Sequence, residues 1–451
     1  MIIAHKRNAS KNSIVYKNIA GAFLIKGLSL VLSLFTMPAY IRFFNDDAVL
    51  GLWFTLLSVL NWILTFDLGI GNGLRNHLAI AIAENNYPEA RKFISSAYVS
   101  TGGLCVLVSL LFLIASPFLN WNGILNISGE SVSSSALTTA VNIVFVGILL
   151  QMVLKNISSV LYALQKSSVN NFMSLCTSLI TVLTLRILPS GSNDENLVVM
   201  AWIHIVAAML PSVAASCYVF LKGKYRNLRP NLHDLTARHA KMVLSLGGVF
   251  FIVQIAYLVI MSTNEFIITR LTGNEYVVEY QIYHRVFMLG SSIIALALTP
   301  IWSAITMAIA EKDYNWISSI YKKMKLIAVV GTAIEFFIIP FLQFGVNVWL
   351  GEKSIDTDLS SALAFACLGS LMLFNNVFSS VANGFGKLKP QLLCFGIGAV
   401  LKVPLSWLFV TLFDSWIGVV WANAVLLAIY CVIEPIAIRK MLNKNSLSLV
   451  C

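Results

Sequence analysis

The chain has 451 residues, of which 58% are hydrophobic and 11% charged, with a net charge of +11. Soluble domains carry about a quarter charged residues, so this composition excludes a soluble globular enzyme. The basic excess lies in short segments between apolar runs rather than in an aromatic-interleaved domain, which excludes a nucleic-acid reader.

Apolar segments of about 20 residues recur along the chain, each long enough to cross a hydrocarbon core of roughly 30 Å as a helix. His5, Lys6, Arg7, Lys11 and Lys17 precede the first apolar run, which reaches Tyr40. That run is too long for a signal peptide and has no small-x-small cleavage pattern, so it is read as the first helix. About twelve helices are predicted, over 18–41, 49–70, 94–116, 137–160, 172–188 and 197–221, then 242–269, 283–310, 326–350, 359–381, 392–413 and 416–438. Pro38, Pro211, Pro300, Pro340 and Pro404 fall within these runs and predict kinks. Trp53, Trp121, Trp349 and Trp416 fall near their ends and read as interfacial anchors. Six cysteines lie inside apolar runs and none pairs at metal-ligand spacing, so neither a disulfide nor a metal site is expected.

An even number of spans puts both termini on one side. Placing them in the cytoplasm assigns 24 of the 31 Lys and Arg residues there, as the positive-inside rule requires. The longest exterior loop, 117–135, has a single ionisable residue, Glu130. No P-loop string is present, so no nucleotide site is expected.

The chain also repeats itself. Ala81-Ile82-Ala83-Glu84-Asn85-Asn86-Tyr87 returns as Ala308-Ile309-Ala310-Glu311-Lys312-Asp313-Tyr314, an offset of 227 from 81 to 308. Ser158-Ser159-Val160 with Lys166 returns as Ser379-Ser380-Val381 with Lys387, an offset of 221 from 158 to 379. Both pairs follow equivalent helices. The expected organisation is therefore a six-helix lobe over 1–221, a basic cytoplasmic linker over 222–241 and a second six-helix lobe over 242–451, with a pathway between the lobes.

Charges within the spans need a reason, because each costs on the order of 3 kcal/mol at mid-bilayer. Asp67, Glu265, Arg285 and Glu434 fall near span ends and read first as interfacial or locally paired. Lys26, Glu335 and Lys402 lie deeper, and Glu335 and Lys402 read either as a bridge within the second lobe or as part of a charged cavity. The stretch Phe66 to Asn76, F-D-L-G-I-G-N-G-L-R-N, contains Gly69, Gly71, Gly73 and Arg75. It reads as close packing and a helix end rather than a phosphate cradle, since no strand precedes it.

Pro38 to Arg42, Leu50-Gly51-Leu52-Trp53 and Asp67-Leu68-Gly69-Ile70-Gly71-Asn72-Gly73-Leu74-Arg75-Asn76 resemble the opening of the bacterial O-antigen flippases. These belong to the polysaccharide branch of the multidrug, oligosaccharidyl-lipid and polysaccharide exporter superfamily. The resemblance implies an all-α, MATE-like fold in the bacterial inner membrane, with undecaprenyl-pyrophosphate-linked oligosaccharide as the translocated partner. Relatives that flip the peptidoglycan precursor have cavity-facing basic residues on helices 1 and 8, where Lys26 and Arg285 stand here.

The resulting expectation is a flippase, not an enzyme, working by alternating access. Lys26, Arg285, Lys402 and Arg75 would attract the pyrophosphate. Asp67, Glu265 and Glu335 would couple the cycle to H+ or Na+, and no other cofactor is expected. Other polysaccharide-assembly proteins are possible contacts. A multidrug or cation antiporter of the same fold and a membrane O-antigen polymerase are the two alternatives, the second disfavoured by the short exterior loops. Offset by 227, Asp67 falls against Ile294, Gly73 against Pro300 and Arg75 against Trp302, which marks this stretch as the place where the two lobes differ.

Overall fold

The computed structural model describes residues 20–447 except 22, 26, 30, 31, 33–35, 37, 38, 45, 67, 68, 126–130, 223, 224, 274 and 351–354. Among the described residues there is no strand. The helices are α1 (Asp47–Phe66), α2 (Ile70–Ala83), α3 (Tyr87–Ala115), α4 (Ser134–Ala163), α5 (Ser167–Ile187), α6 (Asn193–Cys217) and α7 (Ala237–Ser262). They continue as α8 (Asn264–Leu271), α9 (Glu275–Ala310), α10 (Tyr314–Ile338), α11 (Leu342–Leu350), α12 (Leu359–Phe385), α13 (Lys389–Phe413) and α14 (Gly418–Leu447).

Among the described residues, ten helical segments are long and apolar enough to cross a membrane, and they correspond to the third through twelfth predicted spans. The first predicted span is described only in part, and its described residues are helical. The second corresponds to α1, and α2 begins where that span was expected to end, N-capped by Gly69 with φ 64°. Most helices overrun their apolar runs: α3 begins at Tyr87, and α14 continues to Leu447. Hydropathy marks where a helix is in lipid, whereas helix ends are set by caps and turns.

Those turns explain the repeat. At the end of α2, Asn85 has φ 56° and the Asn86 N–H donates to the Ala81 carbonyl (2.8 Å). Lys312 after α9 has φ 58°, and the Asp313 N–H donates to the Ala308 carbonyl (2.8 Å). Asn86 and Asp313 then cap the next helix through the N–H groups of Glu89 and Trp316. The second repeat ends likewise, with left-handed Gln165 (φ 59°) after α4 and Gly386 (φ 64°) after α12. Each is a tight helix-to-helix reversal whose left-handed residue satisfies the last carbonyls.

The chain divides into two units, Ser13–Gly248 and Val249–Cys451, so the division falls inside α7. In the first unit α4 is the central helix, packed against α2, α3 and α6. In the second, its repeat counterpart α12 is central, packed against α9, α10 and α14.

Two of the four predicted tryptophan anchors are core residues. Trp53 is fully buried, with its ring centroid 5.7 Å from that of His204 and 6.4 Å from that of Phe44. Trp416 is buried against Tyr280, Tyr283 and Phe365. Proximity to the end of an apolar run does not fix which way a ring points. Pro211, Pro300 and Pro404 lie inside helices as predicted, and Pro340 sits in the 3-10 turn between α10 and α11. Pro38 lies outside the described residues.

The segment read as a linker is fastened to the first unit. Asp234 takes Arg91 of α3 at Nε (2.7 Å) and Nη2 (3.1 Å), and the Asn231 N–H donates to Ser95 Oγ (2.9 Å). His239 Nε2 lies 2.7 Å from Glu89 Oε1 while its Nδ1 contacts Thr236 Oγ1. The ring of Phe93 stacks on that of His77 and meets that of His239 edge to face.

Candidate functional site

The glycine stretch after α1 positions the first group of candidate residues. A Cβ at Gly73 would collide with the Val243 carbonyl, and one at Gly247 would stand 2.9 Å from the Gly69 carbonyl oxygen. Here α2 and the start of α7 cross backbone to backbone, a contact only small residues permit. This crossing carries Arg75 inward to 3% exposure, with its guanidinium 4.6 Å from the ring centroid of Tyr162. The Tyr162 hydroxyl accepts from Asn170 Nδ2 at 2.6 Å. A buried guanidinium over an aromatic face is a cation–π pair, worth about 2 kcal/mol when desolvated. Lys26 and Asp67 lie outside the described residues.

The remaining candidates belong to the second unit. Arg285 is exposed on α9. Glu265, half-buried on α8, accepts from Gln281 Nε2 at 2.6 Å. Glu335, on α10, is 4% exposed, and its carboxyl occupies space left by two glycines. A Cβ at Gly290 of α9 would stand 3.0 Å from Oε1, and one at Gly369 of α12 would stand 3.1 Å from Cδ. Oε2 has no hydrogen-bond partner among the described residues. A buried carboxyl with an open oxygen is suited to taking up a proton or a small cation.

Lys402 is fully buried on α13, and its ammonium donates to Asn423 Oδ1 (2.5 Å) and to the Val419 carbonyl (3.3 Å). Asn423 donates in turn to Asn264 Oδ1 (2.9 Å), and Asn264 to the Tyr280 hydroxyl (2.8 Å). The bridge between Glu335 and Lys402 is therefore not formed. One neutral amide and one backbone carbonyl take the lysine protons instead.

Glu434 also departs from expectation. It was placed at a helix end, but α14 runs on to Leu447 and Glu434 is fully buried, with neither carboxyl oxygen hydrogen-bonded among the described residues. Composition could not separate these fates, because burial depends on which neighbouring helix covers a face. Asn264 and Asn423 carry no charge, yet amides inside apolar spans are a sequence signal that polar partners are nearby.

Among the described residues the chain is helical with ten apolar spans and has α4 and α12 at the centres of their units, and this fold matches that of solved MATE structures. The chain superposes on "Crystal structure of MATE in the bent conformation" with a TM-score of 0.76 at 16% identity, covering 97% of each chain. It superposes with a TM-score of 0.71 and 15% identity on a MOP superfamily transporter from Pyrococcus furiosus, covering 95% of this chain and 96% of that one. No family model matches. In sequence it is 23% identical over 391 residues to the "Putative O-antigen export protein" of Yersinia pseudotuberculosis, spanning 82% of this chain and 85% of that protein. That relative agrees with the resemblance in the opening motifs.

Proposed function

We propose that the chain is a flippase that moves undecaprenyl-pyrophosphate-linked O-antigen repeat units from the cytoplasmic to the periplasmic leaflet of a bacterial inner membrane. The observation that carries this reading is the similarity to a protein named for O-antigen export, extending over most of both chains. The MATE fold supports a transport cycle by alternating access, since one structure with this fold is an outward-facing multidrug resistance transporter.

In this reading Lys26, Arg75 and Arg285 attract the pyrophosphate, and Lys402 joins them only in a state where α13 and α14 part. Asp67, Glu265 and Glu335 take up H+ or Na+ as the cycle turns. Glu335 is better suited than Glu265, because two glycines make room for its carboxyl and one oxygen stays open.

Deleting the gene should remove surface O-antigen and leave repeat units on the inner leaflet, with restoration by the wild-type chain. Complementation by Lys26→Ala/Arg285→Ala at normal protein level should fail; full surface polysaccharide would remove both residues from the mechanism. Asp67→Asn or Arg75→Ala should impair export more than Trp302→Ala, and the opposite order would return the glycine stretch to packing alone. The likeness to a structure titled as a multidrug resistance transporter favours one second reading, a drug antiporter. Drug hypersensitivity of the deletion strain with intact O-antigen would establish that reading and sink the first.

A further inference from the structure

A hollow of about 510 Å³ lies between α10 and α14, and none of the candidate residues above lines it. Ser318, Lys322 and Lys325 line it from α10, and Arg439 and Asn443 from α14. The α10 residues are spaced by four and three, so they share one helix face. Arg439 and Asn443, also four apart, oppose them. Among the described residues no carboxylate lies within ion-pairing distance of Lys322, Lys325 or Arg439, and none lines the hollow. The Lys325 ammonium rests 4.7 Å from the ring centroid of Tyr321, which fixes one cation at the wall. Glu434 is buried one residue before the lining Pro435 and is not part of the surface. Apolar Pro435, Ile436 and Leu442 complete the lining.

Three cations, a hydroxyl and an amide around a concavity of small-ligand size make an anion receptor. The apolar part of the lining, Pro435, Ile436 and Leu442, suits a ligand with an acyl chain. We propose that this hollow binds a phosphoryl anion, supplied by the headgroup of an anionic phospholipid. Basic residues at span ends are general in membrane proteins. What is particular here is that two helices converge three of them on one cavity, while Lys323 and Lys440 stand beside it and do not line it.

The test uses the purified full-length chain. Native mass spectrometry compares retention of dioleoylphosphatidylglycerol and dioleoylphosphatidylcholine, and thermal unfolding is followed with and without inorganic phosphate. Lys322→Gln/Lys325→Gln/Arg439→Gln should lower phosphatidylglycerol retention about tenfold, while Lys323→Gln/Lys440→Gln leaves it unchanged. Stabilisation by inorganic phosphate in wild type but not in the triple variant, with no preference between the lipids, would keep the phosphoryl site and make its source soluble. Equal loss in both variants would reduce the effect to diffuse charge and overturn the proposal, as would binding of neither probe by wild type. Arg439→Gln alone provides a milder variant should the triple one unfold. Binding is read without transport, so the outcome does not depend on the flippase reading.

Discussion

Lys402 shows how a charge is accommodated among apolar helices without a counter-ion. Its ammonium is held by Asn423 and the Val419 carbonyl, and the chain of amides ends at the Tyr280 hydroxyl. Its long stem fills space that alanine would leave empty. Lys402→Ala should lower stability by about 3 kcal/mol, whereas Lys402→Met, similar in length, should cost less than half of that. Unfolding temperatures of the two purified variants check this; equal losses would mean that the charge, not the volume, holds the site. Asp46 is a carboxylate outside the spans. Hydrogen bonds from Asn193 and from the Val49 and Ala48 N–H groups hold it below the usual carboxylate range. A depressed folded value stabilises the protein above the unfolded value, near pH 4. That contribution disappears as pH falls through the lower folded value. Unfolding temperature should therefore drop more steeply in acid for wild type than for Asp46→Asn, and parallel profiles would show that the contacts carry no linkage.

At the scale of elements, the four tight reversals are the most regular feature. Asn85, Gln165, Lys312 and Gly386 occupy the same left-handed position after α2, α4, α9 and α12. Only one of the four is glycine, although a left-handed residue with a Cβ is disfavoured by roughly 1 kcal/mol. Gln165→Gly and Lys312→Gly should each stabilise the chain by about 0.5–1 kcal/mol, read as a higher unfolding temperature; a fall would mean the side chains make contacts outweighing the strain. These turns were legible as a repeat because their geometry needs particular residues at particular offsets. The docking of 231–239 onto α3 was not legible: Arg91, Asp234, Glu89 and His239 look like ordinary surface charges until the chain brings them together.

Across the whole molecule, the alternation of apolar runs and basic segments predicts which ends of the helices share a side. Alkaline phosphatase fused after Asn122 or Ser192 should be active, and inactive fusions at both positions would overturn the topology. Run length and charge placement determined the helical class and the span order, because the bilayer demands about 20 apolar residues per helix whatever the neighbours are. The tertiary structure alone decided the roles of individual residues. It buried Trp53 and Glu434, gave Lys402 to Asn423 rather than Glu335, and set Gly73 against Val243. The physical reason is that lipid and protein are equally apolar. Hydropathy therefore cannot tell a face turned to lipid from one turned to another helix, and only packing separates them.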